Sequence, residues 1–202
     1  ESEGNTEKAI EYYKKAIFRY INAKNMSITK ELWTKLIKLK PEDIDFFNSV
    51  LRKISKTIDR SKTDVFIQEL YEVYKGKQKW DTAIYLLKEM LSLDKNDKWA
   101  RNELAICYKG KYKGHTHLDE YIRSSSLTQS YRDVFEAIND FEKHISFDAK
   151  HFVFHKTWGV GIIRKVENED LYINFGKKVG IKKMSIKMAV NALTPLAKDH
   201  IW

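Results

Sequence analysis

The period of the hydrophobic pattern changes near residue 148, and this change limits the folds open to the chain more than any other feature. In the first 147 residues, apolar side chains recur every three or four positions, as on one face of a helix. From His151 to Leu196, short runs of Val, Ile, Phe and Tyr alternate with Gly and charged clusters, which is typical of strands. The sequence therefore predicts a multidomain α + β protein, with a helical domain over residues 1–147 and a strand-rich domain over residues 148–202.

The strand-rich domain is predicted to be a small β-barrel with a short C-terminal helix. Its third strand alternates apolar and polar residues, as a half-buried strand should. Ser185 is a natural N-cap for the helix, and Pro195 would stop it. Four or five short strands within about 50 residues are too few for a sandwich but enough to close, or nearly close, a barrel. The predicted strands are Phe152 to Phe154, Ile162 to Val166, Leu171 to Phe175 and Ile181 to Met184.

The helical domain contains a repeat with the period of tetratricopeptide units. Leu70 and Tyr74 recur as Leu104 and Tyr108, an offset of 34 residues in both cases. Because one helix pair cannot bury its apolar face alone, neighbouring pairs should stack into a curved solenoid with a concave side. That side can bind a partner, or the solenoid can act only as a spacer. The residues predicted to line it are Gln68, Glu72, Lys75, Asn102, Ile106 and Lys109.

The segment that precedes the barrel predicts one long amphipathic helix. Between Leu127 and Ile145, apolar residues step by three or four positions throughout. Ser124, Ser125 and Ser126 come before this pattern and offer N-caps. We expect the helix to pack against the last repeat, against the barrel, or against both.

The formal net charge of +9 is unevenly spread along the chain. Residues 148–202 carry ten Lys and Arg against five Asp and Glu. This balance suits contact with nucleic acid or with an acidic protein surface, although a solvated lysine-rich surface is the commoner explanation. No run approaches the roughly 20 apolar residues of a membrane span. The one cysteine, Cys107, fits a buried thiol in a reducing environment, so we predict a cytoplasmic location.

The sequence predicts no catalytic residue, no metal and no cofactor. The close histidine pairs, His115 with His117 and His151 with His155, lack Cys or a carboxylate at ligand spacing. Neighbouring pairs of acidic residues along the chain are explained by helix starts, turns and solvated faces. A Gly-x-Gly stretch ends at Gly161, but it has no third Gly and leads into a strand, which excludes the geometry of a phosphate loop. We therefore expect a non-enzymatic protein without a small-molecule substrate.

The strand-rich domain also resembles a known barrel. The run His155-x-x-Trp158-Gly159-x-Gly161-x-Ile163, followed by Leu171-x-Ile173-x-Phe175, is similar to a Tudor/SH3-like barrel. That barrel is shared by CarD-type regulators, the polymerase-interacting domain of the transcription-repair coupling factor, and the tail of UvrD/PcrA-type helicases. The continuation, Lys183 to Leu196 and then Asp199-His200-Ile201, resembles the extension found upstream of the Gre domains in some large bacterial GreA/GreB elongation factors.

This resemblance, which covers about the last quarter of the chain, implies a non-catalytic region that docks on bacterial RNA polymerase and regulates it. Gre factors are expected to act through acidic residues at the tip of a coiled coil, and no long heptad hairpin occurs here. The resemblance therefore implies that the Gre domains lie beyond Trp202. The chain starts without Met and ends directly after the barrel, so we expect it to be a fragment of a longer protein.

The predicted polymerase-binding residues are Ile162, Ile163, Arg164 and Lys165. Because side chains alternate along a strand, one of two consecutive isoleucines should point outward unless a bulge at Gly161 redirects it. An outward isoleucine beside two basic residues suits a partner that adds a strand to an open edge. The alternative is that Ile162 packs against the helix that ends at Phe147 and never meets solvent.

Two further functions stay open. In a nucleic-acid binding module, lysines would meet phosphates while an aromatic ring stacks on a base, and affinity would be weak and salt-sensitive. The residues predicted for it are Trp158, Tyr172, Lys177, Lys178, Lys182, Lys183 and Lys187. In a general scaffold, the helical groove would receive a peptide.

Overall fold

The computed structural model describes residues 2–115 and 117–196. The chain divides into two compact units, Glu1–Lys113 and Gly114–Trp202. The described part of the first unit is helical, and that of the second combines helices with an antiparallel sheet, which confirms the predicted mixed α and β composition. The motif residues Asp199 to Ile201 lie outside the described residues. The tetratricopeptide and Tudor identities, and the domain division at residue 147, stay predictions.

The first unit contains six α-helices and one 3₁₀ turn among its described residues. Neighbouring helices pack in sequence, α1 on α2, α4 on α5 and α5 on α6, and the α1–α3 and α2–α4 contacts connect successive layers. The helices are α1 (Ser2–Asn22), α2 (Met26–Leu39), α3 (Ile44–Thr57), α4 (Asp64–Gly76), α5 (Trp80–Leu93) and α6 (Lys98–Lys111), with the 3₁₀ turn at Arg60–Lys62.

The core of the first unit is built from the apolar stripes of these helices. Trp33 on α2 is fully buried, and its ring meets Phe47 of α3 edge-on at 4.8 Å and Phe66 of α4 at 5.4 Å. Such edge-to-face pairs add stability beyond the burial of their area. The paired repeat positions Leu70 and Leu104 are both fully buried, as equivalent positions of a repeat should be.

Side-chain caps fix the starts of several helices. Asp43 accepts a hydrogen bond from the N–H of Phe46, and Asp97 accepts one from Ala100, so each carboxylate satisfies a backbone donor with no partner inside its helix. A carboxylate there also interacts favourably with the helix dipole.

The described part of the second unit contains a five-stranded antiparallel sheet and three helices. The sheet order is β4-β3-β2-β1-β5, so β4 and β5 are its two edges. The strands are β1 (Phe152–His155), β2 (Gly159–Glu167), β3 (Asp170–Asn174), β4 (Ile181–Ser185) and β5 (Leu193–Leu196). The helices are α7 (Leu118–Ser124), α8 (Val134–His144) and α9 (Ile186–Ala192).

Strand alternation places the core of this sheet on one face. Leu171 and Ile173 of β3 are fully buried, as are Val153 of β1 and Ile163 of β2. A bulge lies between Ile163 and Lys165, where Arg164 is the extra residue. Gly161, where a bulge would have redirected Ile162, stays in regular register with Val153.

The turn between β2 and β3 has two residues, Asn168 and Glu169. Asn168 has a φ of 52°, a left-handed conformation that Asn tolerates better than most residues. This two-residue turn joins β2 and β3 into a hairpin. Ser185 caps α9 as predicted, because its hydroxyl accepts a hydrogen bond from the N–H of Met188 at 3.3 Å.

The long helix predicted between Leu127 and Ile145 is wrong in its first half. Helix α8 begins only at Val134, because the Asp133 carboxylate accepts hydrogen bonds from the N–H groups of Phe135 and Glu136 and starts the helix there. Ser126, with a φ of 56°, interrupts helical geometry upstream. In the part of the chain that the structure describes, no helix has the length and apolarity needed to cross a membrane.

Candidate docking surfaces

The outer edge of the sheet beside β3 is formed by β4. At one end of their pairing, the Phe175 N–H donates to the Gly180 carbonyl at 3.1 Å. At the other end, the Ile186 N–H donates to the Glu169 carbonyl at 2.7 Å. Hydrogen-bonded residues in an antiparallel ladder recur at every second position, so these two bonds fix the orientation of the whole strand.

This orientation divides the residues of β4 into two sets. Gly180 and Ile186 make the two end bonds, and Lys182 and Met184 lie at every second position between them. The backbone groups of Lys182 and Met184 therefore face β3. The N–H and C=O groups of Ile181, Lys183 and Ser185 therefore point away from the sheet. Among the described residues no strand pairs with this edge. A free edge of this kind can receive an added strand from a partner.

The side chains around the β4 edge combine an apolar anchor with basic groups. Ile181 is 63% exposed, which is unusual for an isoleucine in a strand. Lys183 is exposed on the same strand, and Lys177 and Lys178 are exposed in the preceding turn. The β4 edge thus has the three features that were predicted for β2: unpaired backbone, an apolar side chain and nearby positive charge.

The four residues predicted to bind polymerase do not form such an edge. The prediction of an open strand at Ile162 and Ile163 is wrong, because β2 is hydrogen-bonded to β1 on one side and to β3 on the other. Ile163 is fully buried in the core, whereas Ile162 is only partly buried on the opposite face. Arg164 is exposed at the bulge, and Lys165 is exposed on the outer face. Whether these residues contact a polymerase stays a prediction.

Tyr172 on the outer face of the sheet is flanked by two lysines. The Lys165 ammonium lies 4.3 Å from the centre of its ring, and the Lys183 ammonium lies 5.8 Å away. Each lysine also has an acidic partner, since Lys165 contacts Glu167 at 2.7 Å and Lys183 contacts Asp170 at 2.9 Å. The hydrogen bond from Lys165 lowers the pKa of Glu167, so this carboxylate stays charged. Each of these lysines therefore has a carboxylate partner, which reduces the charge available to a polyanion.

Trp158 forms a separate aromatic cluster at the inner face of the sheet. Its ring stacks on His155 with 4.1 Å between centroids, and Phe175 lies 5.3 Å away. Nδ1 of His155 accepts hydrogen bonds from the N–H groups of Thr157 and Trp158, which fixes the orientation of the turn. The Lys182 ammonium lies 5.6 Å from the Trp158 ring centre, an arrangement that suits a cation–π contact.

The structure therefore separates the residues predicted for nucleic-acid binding. Leu171, Ile173 and Phe175 face the core, so Tyr172 lies on the opposite face of β3 from the Phe175 ring that Trp158 contacts. One bound strand cannot stack flat on both rings. Lys187 lies on α9, and the remaining lysines are distributed over the turn and both faces of β4.

The residues predicted for the helical groove are mostly solvent-facing. Ile106 is 46% exposed, and Gln68 and Glu72 border a hollow between α2 and α4. Asn102 and Lys109 are exposed on α6.

Lys75 is the exception within this groove, because it makes a half-buried contact with a residue of α6. Its ammonium donates to the Glu103 carboxylate, which also accepts a hydrogen bond from the Tyr71 hydroxyl. Burial alone would raise the pKa of Glu103, but the hydrogen bonds from Lys75 and Tyr71 lower it below its usual value. This network connects α4 to α6 and stabilises the stack.

A histidine cluster surrounds Tyr121 and was not predicted from the sequence. The rings of His115, His117 and His144 lie 5.5, 6.1 and 5.8 Å from the Tyr121 ring. The Tyr121 hydroxyl donates to the Phe147 carbonyl at 3.1 Å. Burial lowers the pKa of His115 and of His144, so both are held neutral. Only the pair His115 and His117 was visible in the sequence, because the others join it through tertiary packing.

Next to this cluster, a cavity of about 370 Å³ separates α7 and α8 from α9. Its wall includes the ion pair between Arg132 and Asp140 and the buried ring of His144. Its lining mixes both signs of charge, which gives no single ligand class a clear advantage. Within residues 2–115 and 117–196, no three His, Cys, Asp or Glu side chains are grouped to hold a metal ion.

Comparison with known proteins gives two relatives. A scan against protein-family models finds no match, and no solved structure matches the chain. The chain is 49% identical over 202 residues to a GreA-associated domains protein of Treponema pallidum (strain Nichols), covering 100% of this chain and 31% of that protein. It is 34% identical over 195 residues to the transcription elongation factor GreA of Borreliella burgdorferi, strain B31, covering 96% of this chain and 22% of that protein. The chain thus spans less than a third of the curated relatives it matches, and their names relate it to the Gre-type transcription elongation factors.

Proposed function

We propose that this chain is a non-catalytic region of a Gre-type elongation factor, and that it docks on bacterial RNA polymerase through the β4 edge of its sheet. Two relatives that carry the GreA name support the link to transcription elongation. The observation that carries the docking surface is the free edge of β4 with Ile181 exposed beside it. A cytoplasmic location follows from this proposal.

Strand addition accounts for each feature of this edge. Each backbone hydrogen bond to a partner strand contributes about 0.5–1.5 kcal/mol, and the outward groups of Ile181, Lys183 and Ser185 supply several. Burial of the isoleucine side chain adds about 1.5–3 kcal/mol. The lysines mainly accelerate association with an acidic surface. The expected partner is therefore an extended, exposed strand of the polymerase with acidic neighbours.

The proposal is tested with Ile181→Glu, Lys183→Glu and a matched control. Leu39 at the end of α2 is 42% exposed, so Leu39→Glu introduces the same charge at an exposed apolar position of the helical unit, outside the sheet. Binding of the whole chain to purified RNA polymerase is measured by biolayer interferometry. We expect Ile181→Glu to weaken binding by about tenfold or more, as loss of an interface anchor does, whereas Leu39→Glu leaves it unchanged.

Equal binding by wild type and the folded Ile181→Glu variant would contradict the β4 site. Failure of the wild-type chain to bind polymerase at all would contradict the docking function itself. The same proteins are titrated with duplex DNA at low and at near-physiological salt. DNA binding that persists at about 0.15 M ionic strength, where surface charges are screened beyond about 8 Å, would favour the nucleic-acid function.

The helical unit has a secondary role in this proposal. Its helices α4 and α6 are joined by the Lys75–Glu103 contact, which suits a stiff spacer. We propose that it holds the sheet at a defined distance from the rest of a longer factor. A general peptide-binding scaffold remains the alternative.

A further inference from the structure

A groove lies between α3 and α5. It contains none of the binding residues predicted from the sequence and is not part of the proposed polymerase contact. It has a volume of about 420 Å³ and runs along α3 and α5, extending to the 3₁₀ turn and the start of α4. The predicted concave residues lie instead on α4 and α6. The groove is therefore a separate surface of the helical unit.

Three positively charged side chains and one carboxylate line this groove. Arg52, Lys56 and Arg60 are all exposed, and none has a carboxylate within ion-pair distance among the described residues. Glu89 is the single acidic side chain of the lining. A pocket wall with this excess of positive charge attracts a negatively charged ligand.

Hydrogen bonds hold the two arginines in place without neutralising them. Arg60 donates through Nη2 to the carbonyl and the hydroxyl of Ser92, at 3.1 and 3.0 Å. This contact joins the 3₁₀ turn to the end of α5. Arg52 donates through Nε to the Asn48 carbonyl at 3.3 Å, which leaves its terminal nitrogens for another acceptor. Arginines oriented in this way can bind carboxylates in a bidentate manner.

The rest of the groove suits an apolar side chain and a peptide backbone. Leu51 and Ile67 are buried beneath it, and Leu93 is partly exposed in its wall. Tyr85 is 41% exposed at its edge. Burial raises the pKa of Tyr85, and Glu89 adds to the rise while Arg52 opposes it, so the hydroxyl stays protonated and can donate or accept.

We propose that this groove binds a short acidic peptide segment of a partner protein. Carboxylates of the segment contact Arg52 and Lys56, and an apolar side chain rests on Leu51 and Ile67. The ring of Tyr85 covers the segment, as exposed tyrosines commonly do at protein interfaces. This inference is independent of the polymerase contact proposed for the sheet.

The neighbouring surface favours a peptide over a nucleic acid. A second hollow begins at Arg60 and Leu93, and its wall contains Asp64, Asp94 and Asp97. A nucleic-acid strand carries a charge at every phosphate and would meet these aspartates as it left the groove. A peptide can place its acidic residues at the α3 end alone. The bound segment should therefore be short, with its negative charge near Arg52.

The test uses the whole chain and a short fluorescein-labelled peptide with Glu residues at one end and Leu residues at the other, and binding is followed by fluorescence anisotropy. The first variant is Arg52→Glu combined with Lys56→Glu, both exposed on α3. Its matched control reverses two exposed lysines outside the groove, Lys38→Glu combined with Lys77→Glu, so the net charge of both variants is equal. We expect about tenfold weaker binding in the first variant and little change in the second, because contact charges act locally when the Debye length is about 10 Å.

A third variant should strengthen peptide binding instead of weakening it. Glu89→Gln removes the only carboxylate of the lining and should tighten peptide binding by about two- to fivefold, through loss of like-charge repulsion. The same peptide with Lys in place of Glu should not bind. Equal loss in the groove variant and its control would overturn the site. A single-stranded oligonucleotide that binds as tightly as the acidic peptide, with the same dependence on Arg52, would assign the groove to nucleic acid instead.

Discussion

Gly161 on β2 should be intolerant of even one methyl group. A Cβ at this position would lie 2.6 Å from Cδ1 of Phe175 and 2.8 Å from Cγ2 of Ile173. Phe175 is 7% exposed and Ile173 is fully buried, so neither side chain can move aside into solvent. Overpacking of this kind costs about 1–3 kcal/mol. The gain from restricting the unfolded chain, about 0.4–1 kcal/mol, offsets part of that cost.

Gly161→Ala should therefore destabilise the sheet by about 1–2 kcal/mol, which makes open states about 5–30 times more populated. Native-state hydrogen exchange of the Ile163 and Ile173 amides measures the free energy of opening of the sheet itself. The matched control is Gly76→Ala at the end of α4, where a Cβ meets no atom within 4 Å and φ is not positive. It should leave stability unchanged or raise it by up to about 1 kcal/mol. Unchanged exchange in a folded Gly161→Ala protein would refute the packing argument.

Two other predictions concern charged groups. Burial lowers the pKa values of His115 and His144 in the folded state, so unfolding takes up protons once the pH falls below the unfolded value of about 6.5. The free energy of unfolding of the second unit should therefore be highest above about pH 7 and decrease toward pH 5, which urea unfolding at each pH measures. An increase toward pH 5 would contradict the role of the two buried histidines. In the first unit, Glu103→Gln removes the charged partner of the half-buried Lys75 contact and should cost about 1–3 kcal/mol. Glu72→Gln, exposed on α4, is its control and should cost little, so equal losses in urea unfolding would refute the role of the Lys75–Glu103 contact.

The elements of the sheet that depend on local pattern were predictable from the sequence. The alternation from Leu171 to Phe175 predicts β3 because one face of that strand is buried and the other is not. Ser185 predicts the start of α9 because its hydroxyl replaces a backbone acceptor that the first turn of the helix lacks. In both cases the cause acts within a few residues, so the sequence contains it.

Strand order and strand β5 depend on distant contacts. β5 has four residues, includes Pro195, and becomes a strand only by pairing with β1, where Pro195 lies opposite Val153. Proline is tolerated there because β5 is an edge and its missing N–H need not reach another strand. The same contacts place β2 in the centre of the sheet. Two adjacent isoleucines indicate that both faces of a strand carry an apolar side chain, but they do not indicate which strands pair with it.

The arrangement of basic side chains around the sheet is better suited to a protein edge than to a nucleic-acid strand. A polyanion gains affinity by neutralising several unpaired cations on one continuous surface. In this sheet Lys183 is paired with Asp170 on the outer face, whereas Lys182 lies beside Trp158 at the inner face. Edge recognition has a smaller requirement, namely unpaired backbone groups and one apolar anchor, and Ile181 on β4 meets it. Reversing Lys183 should accordingly slow association with an acidic partner, whereas replacing Ile181 should accelerate dissociation, and a measured effect on the association rate alone for both variants would argue against strand addition.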